Sequence, residues 1–331
     1  MHVPVPVMYR AIAKRDAITG LRLLPRSQMT KTLFFFQKIP DVLFYQKNRC
    51  SYRKIISLQY RDRVVTRIPA KTVPVDDVML AYRESGSGYP VVFVNGLGST
   101  MDMVNPPVLE KISRHFRVII FDNRGTGYSS SSDKPFSIPL FAKDTATLMD
   151  ALGISSAHVI GHSMGASVAQ ELALSFPAKV TRLILVAGEC GGSESVRMEP
   201  EILARLMDKS GTVQDVVNRM FSLLFPPSWL ALHDPSRYCP EVYETTADEI
   251  VARQAAAFFA WQGSFFRLGD IHSPALVITG TDDVIVPPVN SRIISGQIPG
   301  SELVGIPGAG HGLMYQLPEL FSECVLGFLA D

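Results

Sequence analysis

Cysteine is scarce in this chain of 331 residues. The four present, Cys50, Cys190, Cys239 and Cys324, are scattered, and no C-x-x-C occurs. That spacing excludes the usual structural zinc site and argues against a disulfide framework, so a reducing, cytoplasmic setting is expected. Long apolar runs are lacking as well: none reaches the roughly 18 residues of a membrane-spanning helix. The N-terminus has no charged start followed by a long apolar stretch and a small-residue cleavage site, so no secretory signal is expected. His115, His158, His233 and His272 show no metal-ligand spacing, and no metal is expected. Gly125-Thr126-Gly127 is an incomplete dinucleotide fingerprint, and no cofactor is expected. Net charge is almost absent: 32 Lys and Arg against 31 Asp and Glu give +1. The balance hides an asymmetry. Residues 1–70 hold 14 basic and 3 acidic residues, about +11, and the remainder holds 18 and 28, about −10.

What is present is apolar content, 47% of the chain, enough for a sizeable core. Residues 1–63 read as a basic N-terminal extension, poorly ordered, with Met29 a candidate later start. Its clusters Leu33–Phe36 and Val42–Tyr45 are separated by Pro40, which argues against one continuous amphipathic helix. Weak contact with a membrane surface through its Lys, Arg and Phe side chains is the main competing reading. Nucleic-acid contact or targeting is a third, and no nucleic-acid partner is expected.

From residue 64 the pattern is regular. Val64–Pro74 and Val78–Glu84 read as strands joined by Asp76-Asp77. Buried strands follow at Val91–Val94, Arg117–Phe121, Ala157–Ile160 and Val180–Ala187. Helices fall between them around Pro107–His115, Phe141–Leu152 and Ala166–Phe176. Continuous apolar strands alternating with helices predict a mostly parallel, doubly wound sheet covered on both faces. The alternation stops at Gly188. Residues 190–268 read as helices only (Pro200–Asp208, Val213–Phe225, Thr246–Trp261), a helical cap inserted late in the fold. Strand Ala275–Gly280, helix Pro288–Gln297, strand Glu302–Ile306 and a terminal helix Pro318–Leu329 complete it.

One stretch carries chemistry. Gly161-His162-Ser163-Met164-Gly165 sits between a strand and a helix, the placement of a nucleophile elbow. A serine hydroxyl needs a base, and the base an orienting acid. His311, in the Gly-rich loop after the last strand, is the candidate base. The candidate acid lies after the preceding strand, where Asp282 and Asp283 are adjacent and their chemistry alone does not choose between them. Glu189, just after a strand, is a second candidate acid. Asp122 and Arg124 read as residues that hold their loop together, and His162 as one that points into the scaffold.

With these residues the chain from 64 to 331 resembles the α/β-hydrolase superfamily, and most nearly its capped esterase and lactonase-like members. The supporting runs are Asn95–Gly98, Asp122–Ser129, Gly161–Gly165, Gly280–Pro287 and Gly310–Gly312. The resemblance implies Ser163 as nucleophile, Asp283 as acid and His311 as base. It implies an oxyanion hole from the N–H groups of Leu97 and Met164, donors worth about 3 kcal/mol each. It also implies His where this chain has Asn95. Asn95, Gly96, Phe225, Trp229 and Trp261 are candidate pocket residues, since large apolar side chains crowd the cap. The expected activity is hydrolysis of a carboxylic ester, lactone or thioester with an apolar acyl or aromatic group, through an acyl-enzyme. Perhydrolase or haloperoxidase-type chemistry, carbon–carbon bond hydrolysis with the same triad, and non-catalytic binding of a small apolar ligand are the alternatives.

Overall fold

The computed structural model describes residues 68–330, so the expectations for the basic extension lie outside the described residues. The described residues open with an antiparallel hairpin, β1 (Lys71–Val75) and β2 (Val78–Ser85). Asp76, with φ 47°, makes the left-handed corner between them, a conformation Asp tolerates better than most residues. β3 (Pro90–Val94) leads to α1 (Pro106–Ser113) and β4 (Arg117–Phe121). Helix α2 (Ile138–Ala151) begins earlier than its apolar period suggests. Ser137 caps it, accepting from Leu140 N–H, and Pro139 occupies the first turn, where no donor is needed. β5 (Ala157–His162), α3 (Met164–Ser175) and β6 (Val180–Val186) follow.

Between β6 and β7 (Ala275–Gly280) no strand occurs. The segment holds α4 (Pro200–Met207), α5 (Val213–Leu224), α6 (Pro227–Leu230) and α7 (Asp248–Ala260). Then come α8 (Val289–Gln297), β8 (Glu302–Ile306), a four-residue helix α9 (Leu313–Gln316) that the sequence pattern did not announce, and α10 (Pro318–Ala330).

The eight strands form one sheet in the order β1-β2-β4-β3-β5-β6-β7-β8. β2 pairs antiparallel with β1 and β4, and every later pairing is parallel. This is the mostly parallel doubly wound sheet expected from the alternation. Strand period two divides the core. In β4, Ile119 and Phe121 join one apolar cluster with Phe141, Leu148, Val168 and Ile294 of α2, α3 and α8. Val118 and Ile120 join the other, with Val108, Ile112, Phe321 and Val325 of α1 and α10. Because the central parallel strands are covered on both sides, their ends are where polar side chains collect. Among the described residues no helix is long and apolar enough to cross a membrane.

The helices between β6 and β7 meet those strand ends. A Cβ on Gly125, in the loop after β4, would lie 3.0 Å from Ile250 of α7. Gly312, after β8, donates its N–H to the Leu224 carbonyl at 2.9 Å, at the end of α5.

Candidate active site

Ser163 stands between β5 and α3 with φ 56° and ψ −123°. For a residue with a Cβ this backbone is strained, at a cost of order 1–3 kcal/mol. Crowding enforces it. A Cβ on Gly161 would meet the Gly165 carbonyl oxygen at 2.3 Å, and one on Gly165 would meet the Val94 carbonyl oxygen at 2.1 Å. Only glycine lets the elbow close onto β3. Ser163 N–H donates to the Val186 carbonyl at 2.9 Å, which ties the turn to β6. The hydroxyl, half-buried, faces the turn after β3: a Cβ on Gly96 would lie 3.1 Å from the Ser163 Cβ and 3.6 Å from its Oγ.

The adjacent carboxylates separate cleanly. Asp283 is buried, and its Oδ2 accepts from His311 Nδ1 at 2.8 Å. Its Oδ1 accepts from the N–H groups of Ile285 and Val286, both at 2.9 Å, so the carboxylate cannot swing. Asp282 is exposed and accepts from the Thr281 hydroxyl. Glu189 is buried but is paired with Arg197, and burial raises its pKa. It is not the partner of His311.

His311 is itself buried, and its nitrogen proton at Nδ1 is fixed by Asp283. The loop that carries it is held by Gln316, whose Oε1 accepts from Gly310 N–H at 2.8 Å. His162 does not point away into the scaffold, as its place in the sequence suggests. Its ring lies 5.0 Å from that of His311, and its Nε2 is 3.4 Å from the His311 carbonyl oxygen. A carbonyl only accepts, so His162 carries its proton on Nε2. Burial, then the neighbouring His311, lowers its pKa to about 3, and it stays neutral.

Neither Leu97 N–H nor Met164 N–H has a hydrogen-bond partner among the described residues. Leu97 follows Gly96, which abuts Ser163, and Met164 opens α3 directly after it. Two free amides therefore flank the serine, one of them at a helix start.

The candidate pocket residues divide. Gly96 faces Ser163. Phe225 is buried against the His311 loop: a Cβ on Gly312 would meet its ring at 2.7 Å. Asn95 lies next to the site and is buried, with its side-chain amide engaged by the scaffold. Its Nδ2 donates to the Phe121 carbonyl at 3.3 Å, and its own carbonyl accepts from Asn123 Nδ2 at 3.4 Å. It braces the ends of β3 and β4. Trp229 stacks between Phe225, 4.7 Å away, and His233, 4.5 Å away, as part of the insertion's own packing. Trp261 donates its indole N–H to Glu171 at 2.9 Å and covers Gly191; these contacts fix it to the scaffold rather than to the Ser163 turn. A groove of about 480 Å³, lined by residues including Phe225, Pro226, Asp282 and Asp283, borders the acid loop. Neither Ser163 nor His311 lines it, so it is not the site of chemistry.

Two residues after β4 act as loop anchors. Asp122 accepts from the N–H groups of Met101 at 2.6 Å and Tyr128 at 2.9 Å, and burial pushes its pKa up to about 6. Arg124, fully buried, forms a two-point pair with Asp144.

A strained serine, a buried acid–histidine pair and the strand order agree with a family-wide match. The model for the alpha/beta hydrolase fold matches residues 89–316. The chain belongs to the alpha/beta hydrolase family. It is 30% identical over 258 residues to the “Putative carbamate hydrolase RutD” of Azorhizobium caulinodans, covering 77% of this chain and 96% of that one. It is also 30% identical over 272 residues to the “Putative non-heme bromoperoxidase BpoC” of Mycobacterium tuberculosis, covering 77% and 98%. Among solved structures, the enol-lactonase of Burkholderia xenovorans LB400 superposes with a TM-score of 0.68 at 26% identity, covering 79% of this chain and all of that one.

Proposed function

We propose that this α/β hydrolase cleaves a carboxylic ester or lactone bearing an apolar group, through an acyl-enzyme on Ser163. The observation that carries the reading is the buried 2.8 Å contact of Asp283 with His311 Nδ1. It leaves Nε2 as the basic nitrogen. His311 Nε2 takes the Ser163 proton as Oγ attacks the carbonyl carbon. Leu97 and Met164 N–H groups receive the developing oxyanion. His311 then returns the proton to the leaving oxygen, and water, deprotonated by His311, releases the acid. Asp283 holds the ring in place and stabilises the imidazolium. The segment 190–268 acts as a cap over this site, and Gly96, which faces Ser163, and Phe225, which packs on the His311 loop, are the pocket residues we assign to it. An apolar small molecule is the partner this implies.

The test is a series of p-nitrophenyl esters of graded chain length, with fluorophosphonate labelling of Ser163 and of Ser163→Ala. Labelling and turnover that vanish in the variant are expected. A well-folded, unlabelled wild type refutes the reading. The two relatives named above favour a second set of arms. A carbamate substrate and hydrogen peroxide as acyl acceptor are run beside the ester, and the ester is expected to be turned over fastest.

A further inference from the structure

The turn from Asn95 to Gly98 carries one of the two proposed oxyanion donors, Leu97 N–H. The histidine that the family resemblance implies at the head of this turn is Asn95 here, and its side chain is engaged by the Phe121 carbonyl. The turn is gripped instead from the far side. Gln254 of α7 is fully buried, and its Oε1 accepts from Gly98 N–H at 2.8 Å. Thr246, just ahead of α7, donates its hydroxyl to the Gly98 carbonyl at 2.9 Å. Val251 closes over the same residue: a Cβ on Gly98 would lie 3.3 Å from its Cγ2.

Gly98 has φ +68° and no side chain, so its own chain restricts it little. Its donor and its acceptor are both held by one short stretch of the insertion, Thr246 to Gln254, which leads into and includes part of α7. The orientation of the Gln254 amide is settled by this pairing, since Gly98 N–H needs an acceptor. Its Nε2 has no partner among the described residues, so no second bond competes for the side chain. Helix α7 is in turn anchored. Arg253 donates to the Ser132 and Lys134 carbonyls at 2.8 and 2.9 Å, and lies 3.9 Å above the Phe136 ring.

We infer that Gln254 and Thr246 are positioning residues that set the Leu97 amide through Gly98. The inference rests on the oxyanion reading proposed above. It makes one helix of the insertion part of the catalytic geometry as well as a cover.

The test uses the full chain, a p-nitrophenyl ester, and a boronic acid as a mimic of the tetrahedral intermediate. Gln254→Met keeps the bulk and loses the acceptor. Thr246→Val loses the donor, and Thr246→Ser keeps it. The expected result for Gln254→Met and Thr246→Val is a fall in kcat of about ten- to hundredfold with little change in KM. Boronate affinity falls by the same factor, and Thr246→Ser recovers most of the loss. A merely structural role would lower thermal stability without moving boronate affinity in step with kcat. If Gln254→Met does not fold, the Thr246 pair carries the comparison. Unchanged kcat in folded variants, a loss confined to KM, or a serine variant as poor as the valine one overturns the inference. If wild type neither hydrolyses esters nor labels at Ser163, the hydrolase reading falls first and the inference with it.

Discussion

Asp283→Asn is the most demanding single change. Asp283 has two different oxygens in function. Oδ1 accepts from two backbone N–H groups, and Oδ2 from His311. An asparagine there must keep its oxygen toward Ile285 and Val286, because turning the amide would set NH₂ against two N–H donors. Its nitrogen then faces His311 Nδ1 and donates to it. That reverses the tautomer: the proton moves to Nε2, which can no longer accept from Ser163. The shape of the site is unchanged, and only the proton is misplaced. A loss of about 10⁴ in kcat is expected, as for other triads with this change, equivalent to about 5 kcal/mol of transition-state stabilisation. The assay is steady-state hydrolysis of a p-nitrophenyl ester, with circular dichroism to show that the fold is kept. Asp282→Asn is the control, and its kcat should stay within about twofold of wild type, since Asp282 touches Thr281 and not His311. A folded Asp283→Asn protein with a tenth or more of wild-type kcat would refute the tautomer argument. Loss on changing Asp282 would overturn the choice between the two carboxylates.

Three further outcomes are expected. Gly165→Ala drives a Cβ to 2.1 Å from the Val94 carbonyl oxygen. It should lower stability by about 3 kcal/mol or more, read as a reduced urea midpoint, and an unchanged midpoint would count against the crowded-elbow account. Trp261→Phe loses the bond to Glu171 at a cost of about 1–2 kcal/mol, with kcat/KM for the ester unaltered; a large change in specificity would return Trp261 to the pocket. His158 is buried against Tyr89 and Phe116, and burial, then the charge of Arg182, lowers its pKa from 6.5 to about 4. The native state resists the proton that the unfolded chain accepts, so stability is full above the unfolded value and falls as pH drops from about 6.5 toward 4, by about 2 kcal/mol between pH 7 and pH 5. His158→Phe should remove most of this pH dependence in urea titrations at the two pH values, and equal losses in both proteins would exclude His158 as the source.

Much of the fold was legible from the residues. The parallel strands are near-continuous apolar runs because both faces are covered, and short Gly- or Asp-rich segments end them. Strand boundaries came within a few residues except at β1, expected from Val64 but beginning at Lys71, with 64–67 outside the described residues. Helix starts were harder to place: α2 begins at a serine cap and a proline, which carry no apolar period. The short helix α9 is too brief to show a period at all. The site divides in the same way. Ser163 was marked by glycines that the backbone requires on either side. By sequence, His162 reads as pointing into the scaffold, and Asn95 and Trp261 read as pocket residues. What decides each is a partner remote in the chain: the His311 carbonyl, the Phe121 carbonyl and Glu171.

The sequence by itself determined the alternation of strands and helices, the elbow glycines and the order serine, acid, histidine. These are local: they depend on side-chain period, on the room a turn leaves, and on which loop follows which strand. Between Asp282 and Asp283 the chemistry of the residues leaves the choice open, and the resemblance implies Asp283. The tertiary structure supplies the physical reason, because Asp283 is buried and meets His311 whereas Asp282 is exposed and meets Thr281. Tertiary structure alone brought Gln254 and Thr246, about 150 residues from Gly98 in the chain, onto both polar groups of one glycine beside the serine. A hydrogen bond is set by distance and direction in space, and neither is written in the spacing of residues along the chain.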